Sequence, residues 1–367
     1  MAGSRILAIL VLAGFSLLPA LAADSDAGLK LNQIQTVGSA ESYKLAPGDS
    51  MLRLIAIGGK KNAQKLDFGQ PSLTAQLDDG ARSLSFDLAY DPKGGLFRSP
   101  AGASMADELL DKDYAPAMSQ PGFKVIHVLD VDFKSSCLTL KTCLTEIAGW
   151  SHAHPGHLPI LIALCSNDQK TPMPGATTPL PFDSMAAAAL DAEIMAVFRR
   201  DELITPDAVK AGHASLRDAV LAGGWPLLNA ARGKVIFLFH DDARKTALYH
   251  GEVMFVTAEE NSPDAGFIAL DDPVKDAARI RADVKAGFMV LTRADDETLE
   301  ARANDTRRRD AAFASGAQVI ESDFVAPDGK IGPYHVAIQD PRHVRCDAVN
   351  ADCAAWDAAL LRTATAR

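Results

Sequence analysis

Leu84-Ser85-Phe86-Asp87-Leu88-Ala89-Tyr90 reads as a β-strand in which Ser85 and Asp87, two residues apart, share one face. Similar β-rich runs stand at Ile34–Gly38, Val125–Leu129, Ile160–Leu164, Val235–His240, Val253–Thr257, Met289–Thr292 and Val319–Ser322. Most are followed by a helical stretch. With the first stretch these runs number eight, the count that a closed (β/α)8 barrel of TIM type requires. The expected fold is therefore a single α/β barrel domain. It is expected to be irregular, because no full helix separates the fifth and sixth strands.

The helices between the strands carry their own start and stop signals. Thr205-Pro206 and Asp272-Pro273 each set a capping residue before proline at the first helical position. After the second pair, Val274, Ala277, Ile280 and Val284 form one apolar face, and Gly287 can end the helix. Leu190, Ile194, Val197 and Phe198 repeat that spacing. Neither a Ser/Gly-rich linker nor an internal repeat breaks the alternation, which favours one domain.

At the N-terminus a short basic start containing Arg5 leads into an apolar run, Ile6–Leu18, and then into Ala20-Leu21-Ala22-Ala23. That layout predicts a signal peptide over residues 1–22 and a barrel over 23–367, in a secreted or periplasmic protein. Nothing later in the chain is apolar for long enough to span a bilayer. The formal net charge of −10, without a block of Lys or Arg, argues against nucleic acid as a partner. The five cysteines suit an oxidising compartment. Cys137 lies close to Cys143 and Cys346 close to Cys353, so two local disulfides are the natural pairing, with Cys165 left over.

Active sites of such barrels lie at the C-terminal ends of the strands, and this rule sorts the polar residues. The first strand runs out into Gly38-Ser39-Ala40-Glu41-Ser42. The second carries Ser85 and Asp87, the third ends at His127 with Asp130 and Asp132 beyond, and the fourth ends in Cys165-Ser166-Asn167-Asp168. Later strands offer His240, Arg293, Asp295 and Asp323. His152, His154 and His157 precede the fourth strand, at the opposite end, and read as surface loop histidines rather than a metal cluster.

Several of these strings together resemble the calcium-dependent, phosphoinositide-specific phospholipase C family of secreted bacterial proteins. They are Leu31-Asn-Gln-Ile-Gln-Thr-Val-Gly38, Phe86-Asp-Leu-Ala-Tyr-Asp-Pro-Lys-Gly-Gly95, Pro121-Gly-Phe-Lys-Val-Ile-His127 and Trp150-Ser-His-Ala-His-Pro-Gly-His-Leu-Pro159. Ile204-Thr-Pro-Asp207, Gly223-Gly-Trp-Pro226, Thr292-Arg-Ala-Asp295 and Ser315-Gly-Ala-Gln318 add to them, so the similarity covers nearly the whole mature span. The resemblance implies a lipid or small-molecule phosphodiester as ligand. It also implies a general-base histidine after the first strand, a second histidine at His127 as general acid, and calcium held by an Asn and three acidic residues.

The sequence departs from that equipment. Ala40 stands at the first histidine, Glu41 at the Asn, Ser85 and Cys165 at two of the acidic ligands, and Asn167 at a basic position; Asp87 is kept. Catalytic candidates are then His127 and Glu41, metal candidates Glu41, Asp87 and Cys165, and substrate-binding candidates Arg293, His240 and Asp323. Along an extended segment Glu41 is expected to point away from the side that Ala40 faces. Three functional readings follow: a phosphoric diester hydrolase of weak or altered activity, a silent homologue that binds a phosphorylated or polyol ligand, and a re-tooled metal site. In the last, Glu41, Asp87, His127 and Cys165 offer O, N and S donors that suit zinc better than calcium.

Overall fold

The computed structural model describes residues 26–356 except 27, 341 and 355; the expected signal peptide lies outside the described residues. In chain order the strands are β1 (Ile34–Ser39), β2 (Ser83–Ala89), β3 (Lys124–Val125), β4 (Ile160–Ser166) and β5 (Val235–Phe239). They continue with β6 (Phe255–Val256), β7 (Phe267–Ala269), β8 (Met289–Arg293), β9 (Val319–Ser322) and β10 (Arg345–Cys346). Eight of them run parallel in the order β6-β5-β4-β2-β1-β9-β8-β7. A parallel bridge between Thr257 and Phe267 joins the two outer strands, so the barrel is nearly closed. That seam is thin because β6 and β7 are short and only the brief helix Ala243–Thr246 lies between β5 and β6.

Strands β4 and β5 read as continuous apolar runs because both their faces are covered, one by the barrel interior and one by outer helices. The helix Leu140–Ala153 buries Cys143, Leu144 and Ile147, and the Thr139 hydroxyl accepts the Thr142 N–H at its start. The helix Ser184–Met195 buries Leu190 and Ile194, and the Asp183 side chain caps it.

One expected strand changes places with another. Val125–Leu129 is not a barrel stave; only Lys124–Val125 joins the sheet, antiparallel with Leu88 and Ala89 of β2, while Val128 bridges to Asp132 just beyond. The stave missing from the sequence reading is Phe267–Ala269, three buried or half-buried residues after Gly266, too short to register as a periodic pattern. The helix expected from Asp272-Pro273 begins later, at Ala277. Asp272 caps the N–H groups of Val274 and Lys275 in a preceding turn, which leaves Val274 largely exposed and outside the apolar face.

At the β1–β2 seam, a Cβ on Gly38 would stand 2.2 Å from the Ser83 Cβ. The two strands pair at that level only because residue 38 has no side chain. Disulfides join Cys137 to Cys143 and Cys346 to Cys353, with Cα separations of 5.2 and 5.7 Å, and Cys165 is free.

The three histidines at the opposite end each have a partner. His152 meets Glu202 at 2.7 Å and His154 stacks on Trp150. His157 is buried rather than on the surface, with Nε2 2.7 Å from the Ser151 hydroxyl.

Candidate active site

β1 stops at Ser39, and the chain turns at once, the Lys44 N–H donating to the Glu41 carbonyl. Glu41 has φ +41°, a left-handed conformation that is costly for a residue with a Cβ. The turn overrides the alternation expected of an extended segment. Glu41 points inward, its Oε1 lying 3.9 Å from His127 Nε2 and 4.0 Å from Arg293 Nη1.

His127 arrives by a route that the sequence does not advertise. Leu88 of β2 pairs with Ser166 of β4 on one edge and with Val125 on the other. β1 pairs with β2 only as far as Leu84, so β3 occupies the edge that β1 has vacated. The Ile126 N–H donates to the Asp87 carbonyl, and the Asn167 amide donates to the carbonyls of Ile126 and His127 at 2.7 and 3.0 Å. His127 Nδ1 then donates to Asp132 Oδ2 at 2.8 Å, and that carboxylate is also 3.3 Å from the buried Lys44 ammonium. Asp132 therefore fixes the ring and leaves Nε2 facing the carboxylates of Glu41 and Asp87.

Asp87 on β2 accepts the Tyr43 hydroxyl at 2.7 Å. Donor atoms of Glu41, Asp87 and His127 all lie within 4.8 Å of one another. Cys165 is the register partner of Asp87 across β2 and β4 but stays outside that trio. Arg293 pairs with Asp323, whose N–H donates to Asp295 at 2.8 Å. The Gln70 amide holds the carbonyls of Ala40 and Asp323, both at 3.0 Å. Below them Ser83 donates to Glu321 at 3.0 Å, beside Gly38.

Burial opposes ionisation throughout, and its balance with local charges and hydrogen bonds decides each outcome. Desolvation works against the Glu41 carboxylate, but Arg293, His127 and a hydrogen bond with Asp323 outweigh it and hold its carboxyl below the usual range. Burial drives Asp323 the other way, well above the usual range. It also raises Asp87 to about 6 and Glu321 to about 7. His127 is disfavoured by burial as a cation, yet Asp132 and Glu41 lift it to about 9. Burial pushes the Cys165 thiol well up, so it stays protonated.

Glu41, His127, Arg293 and Asp323 line a cavity of about 490 Å³ together with Asn62, Lys65 and Phe68. His240, at the end of β5, is not among its lining residues; its Nδ1 is buried without a hydrogen-bond partner among the described residues. Sequence reasoning gave no role to Tyr43, Lys44, Gln70 or Glu321. Only Glu321 left a signal, as an acidic residue inside an apolar strand two positions before Asp323. The other three act through contacts between distant segments.

The family model for Ca2+-dependent phosphoinositide phospholipase C matches residues 29–348. The chain belongs to that family. Two structures of the calcium-dependent phosphoinositol-specific phospholipase C from a Gram-negative Pseudomonas species share its fold. The first, a myoinositol complex, has a TM-score of 0.53 at 16% identity, covering 88% of this chain and 97% of that one. The second scores 0.52 at 16% identity, covering 88% and 96%. No curated protein matches the sequence closely enough to count as a relative.

For a Ca2+-dependent phospholipase C, the mouth of this barrel is poorly furnished. Calcium takes six to eight oxygen ligands. Here Asp87 has one oxygen engaged by Tyr43, Glu41 is shared with Asp323, and Ser85 and the protonated Cys165 supply no carboxylate. The cations of Arg293 and His127 flank Glu41 as well. The donor set does not fit calcium.

Proposed function

We propose that the chain is a phosphoric diester hydrolase of phospholipase C type, slow and independent of calcium, acting on a phosphodiester with a neighbouring polyol hydroxyl. The observation that supports it most is the placing of Glu41 Oε1 3.9 Å from His127 Nε2, with Arg293 Nη1 4.0 Å from Glu41, all three lining one cavity. A base, an acid and a phosphate-binding cation are all within reach of one phosphorus centre.

Glu41 accepts the proton of the polyol hydroxyl, and the freed oxygen forms a bond to phosphorus. The bond from phosphorus to the leaving alcohol breaks, and His127 Nε2 protonates that oxygen. The imidazolium is available near neutrality because Asp132 and Glu41 stabilise it. Arg293 offsets charge that builds on the phosphate. Turnover is slow because a carboxylate held below its usual range is a weak base near pH 7.

The same weakness favours a second reading, a silent homologue that binds the phosphodiester through Arg293 and His127 without cleaving it. Incubation of the purified chain with phosphatidylinositol and glycerophosphoinositol separates the two. Release of inositol phosphate that disappears in Glu41→Gln supports hydrolysis; tight binding without product supports the second reading. We also place the mature chain, residues 23–367, outside the cytoplasm. Two disulfides support that placement, and no helix among the described residues is long and apolar enough to cross a membrane.

A further inference from the structure

We infer that Glu41, Asp87 and His127 form a binding site for a divalent transition cation of the zinc class at the mouth of the barrel. The three donors come from three separate segments: the turn after β1, strand β2, and the segment laid on the edge of β2. They nevertheless converge to within 4.8 Å. Bonds of about 2.0–2.2 Å set tetrahedral neighbours roughly 3.3–3.6 Å apart, so the trio closes on an ion by small side-chain rotations.

Orientation points the same way. His127 Nδ1 donates to Asp132 at 2.8 Å, and Asp132 is buried and paired with Lys44. A carboxylate behind the imidazole, with Nε2 turned towards other acidic ligands, is the arrangement that holds metal-ligating histidines in place. Nε2 makes no hydrogen bond among the described residues; Glu41 Oε1, at 3.9 Å, is too far. Asp87 has one oxygen fixed by Tyr43, which leaves the other to bind.

Charge and coordination number both separate zinc from calcium here. Two carboxylates and an imidazole that gives up its proton on binding balance a dication, and zinc needs only three protein ligands plus one open position. The cavity of about 490 Å³ beside Glu41 and His127 supplies room for a water or a ligand oxygen at that position. Arg293, Lys44 and Lys65 are the opposing charges; the Arg293 guanidinium is already paired with Asp323, the Lys44 ammonium with Asp132 and Lys65 with Glu297. Cys165 takes no part. Occupation removes Glu41 and His127 from acid–base work, so zinc inhibits any cleavage they perform, although metal binding itself does not require that cleavage occurs.

The test uses the full mature chain, stripped with chelator and then titrated calorimetrically with Zn2+ and with Ca2+, and by visible absorption with Co2+. One Zn2+ per chain is expected, at least a hundredfold tighter than Ca2+, with Co2+ bands that stoichiometric Zn2+ abolishes. His127→Ala, Glu41→Gln and Asp87→Asn each weaken binding tenfold or more, and Asp132→Asn weakens it by about 10–100-fold. His152→Ala leaves it unchanged. Should a variant misfold, the His127 imidazole resonances of the unaltered chain must still shift on adding Zn2+, while those of His152 do not. Absence of 1:1 binding, binding that survives in folded His127→Ala, or a preference for Ca2+ would overturn the inference.

Discussion

At the scale of single residues, His127 and Asp132 govern the response to pH. The folded pKa of His127 is about 9, above the ordinary 6.5. Its contribution to stability is therefore complete below about pH 6.5 and is lost as pH rises through 9, on the order of 1–3 kcal/mol. Asp87 and Glu321, raised to about 6 and 7, favour their protonated forms and shift stability in the same direction. Denaturant midpoints are expected to fall steadily from pH 5 to 9.5. Asp132→Asn removes the largest attraction on the imidazolium, so the alkaline part of that fall moves towards neutrality; an unchanged profile would mean that Asp132 does not set the His127 charge. In activity, Glu41→Gln and His127→Ala should each cost about 10²–10⁴ in kcat, the range of a lost general base or acid. Glu41 also marks where sequence reasoning ends: the residue was legible as a candidate, but its inward aim depends on a left-handed turn that alternation along a strand does not foresee.

At the scale of elements, the seam between β1 and β2 sets the geometry of the mouth. Gly38→Ala puts a methyl group 2.2 Å from the Ser83 Cβ and 2.4 Å from its carbonyl oxygen. The strands must part, and the protein is expected to lose about 1–3 kcal/mol or more, read as a lower denaturant midpoint with the Glu41 turn displaced. The segment that carries His127 is anchored differently, by the disulfide between Cys137 and Cys143, which ties it to the helix Leu140–Ala153. Replacing both cysteines with Ser should cost about 2–3 kcal/mol, the value for so short a loop, and alkylation of the oxidised chain should label Cys165 alone. Long, fully buried strands such as β4 and β5 were plain in the sequence because apolar runs of that length have few other uses. β7 was not, since three residues carry no period. Val125–Leu129 has the composition of a stave, but its position is decided by the edge that β1 leaves open.

At the scale of the whole molecule, the family and the barrel are shown, the proposal concerns the mouth, and the two have different physical roots. The barrel is fixed by apolar runs and by Gly38, features that local sequence displays. The mouth is fixed by Tyr43, Lys44, Gln70 and Asn167, whose hydrogen bonds join residues far apart in the chain. Calcium dependence is the property on which scaffold and mouth disagree most sharply. Turnover of phosphatidylinositol should therefore be measured with the mature chain in excess calcium and again in excess chelator. Slow release of inositol phosphate, no faster with calcium than with chelator, is the expected result. Turnover that vanishes in chelator and returns with calcium would contradict the account.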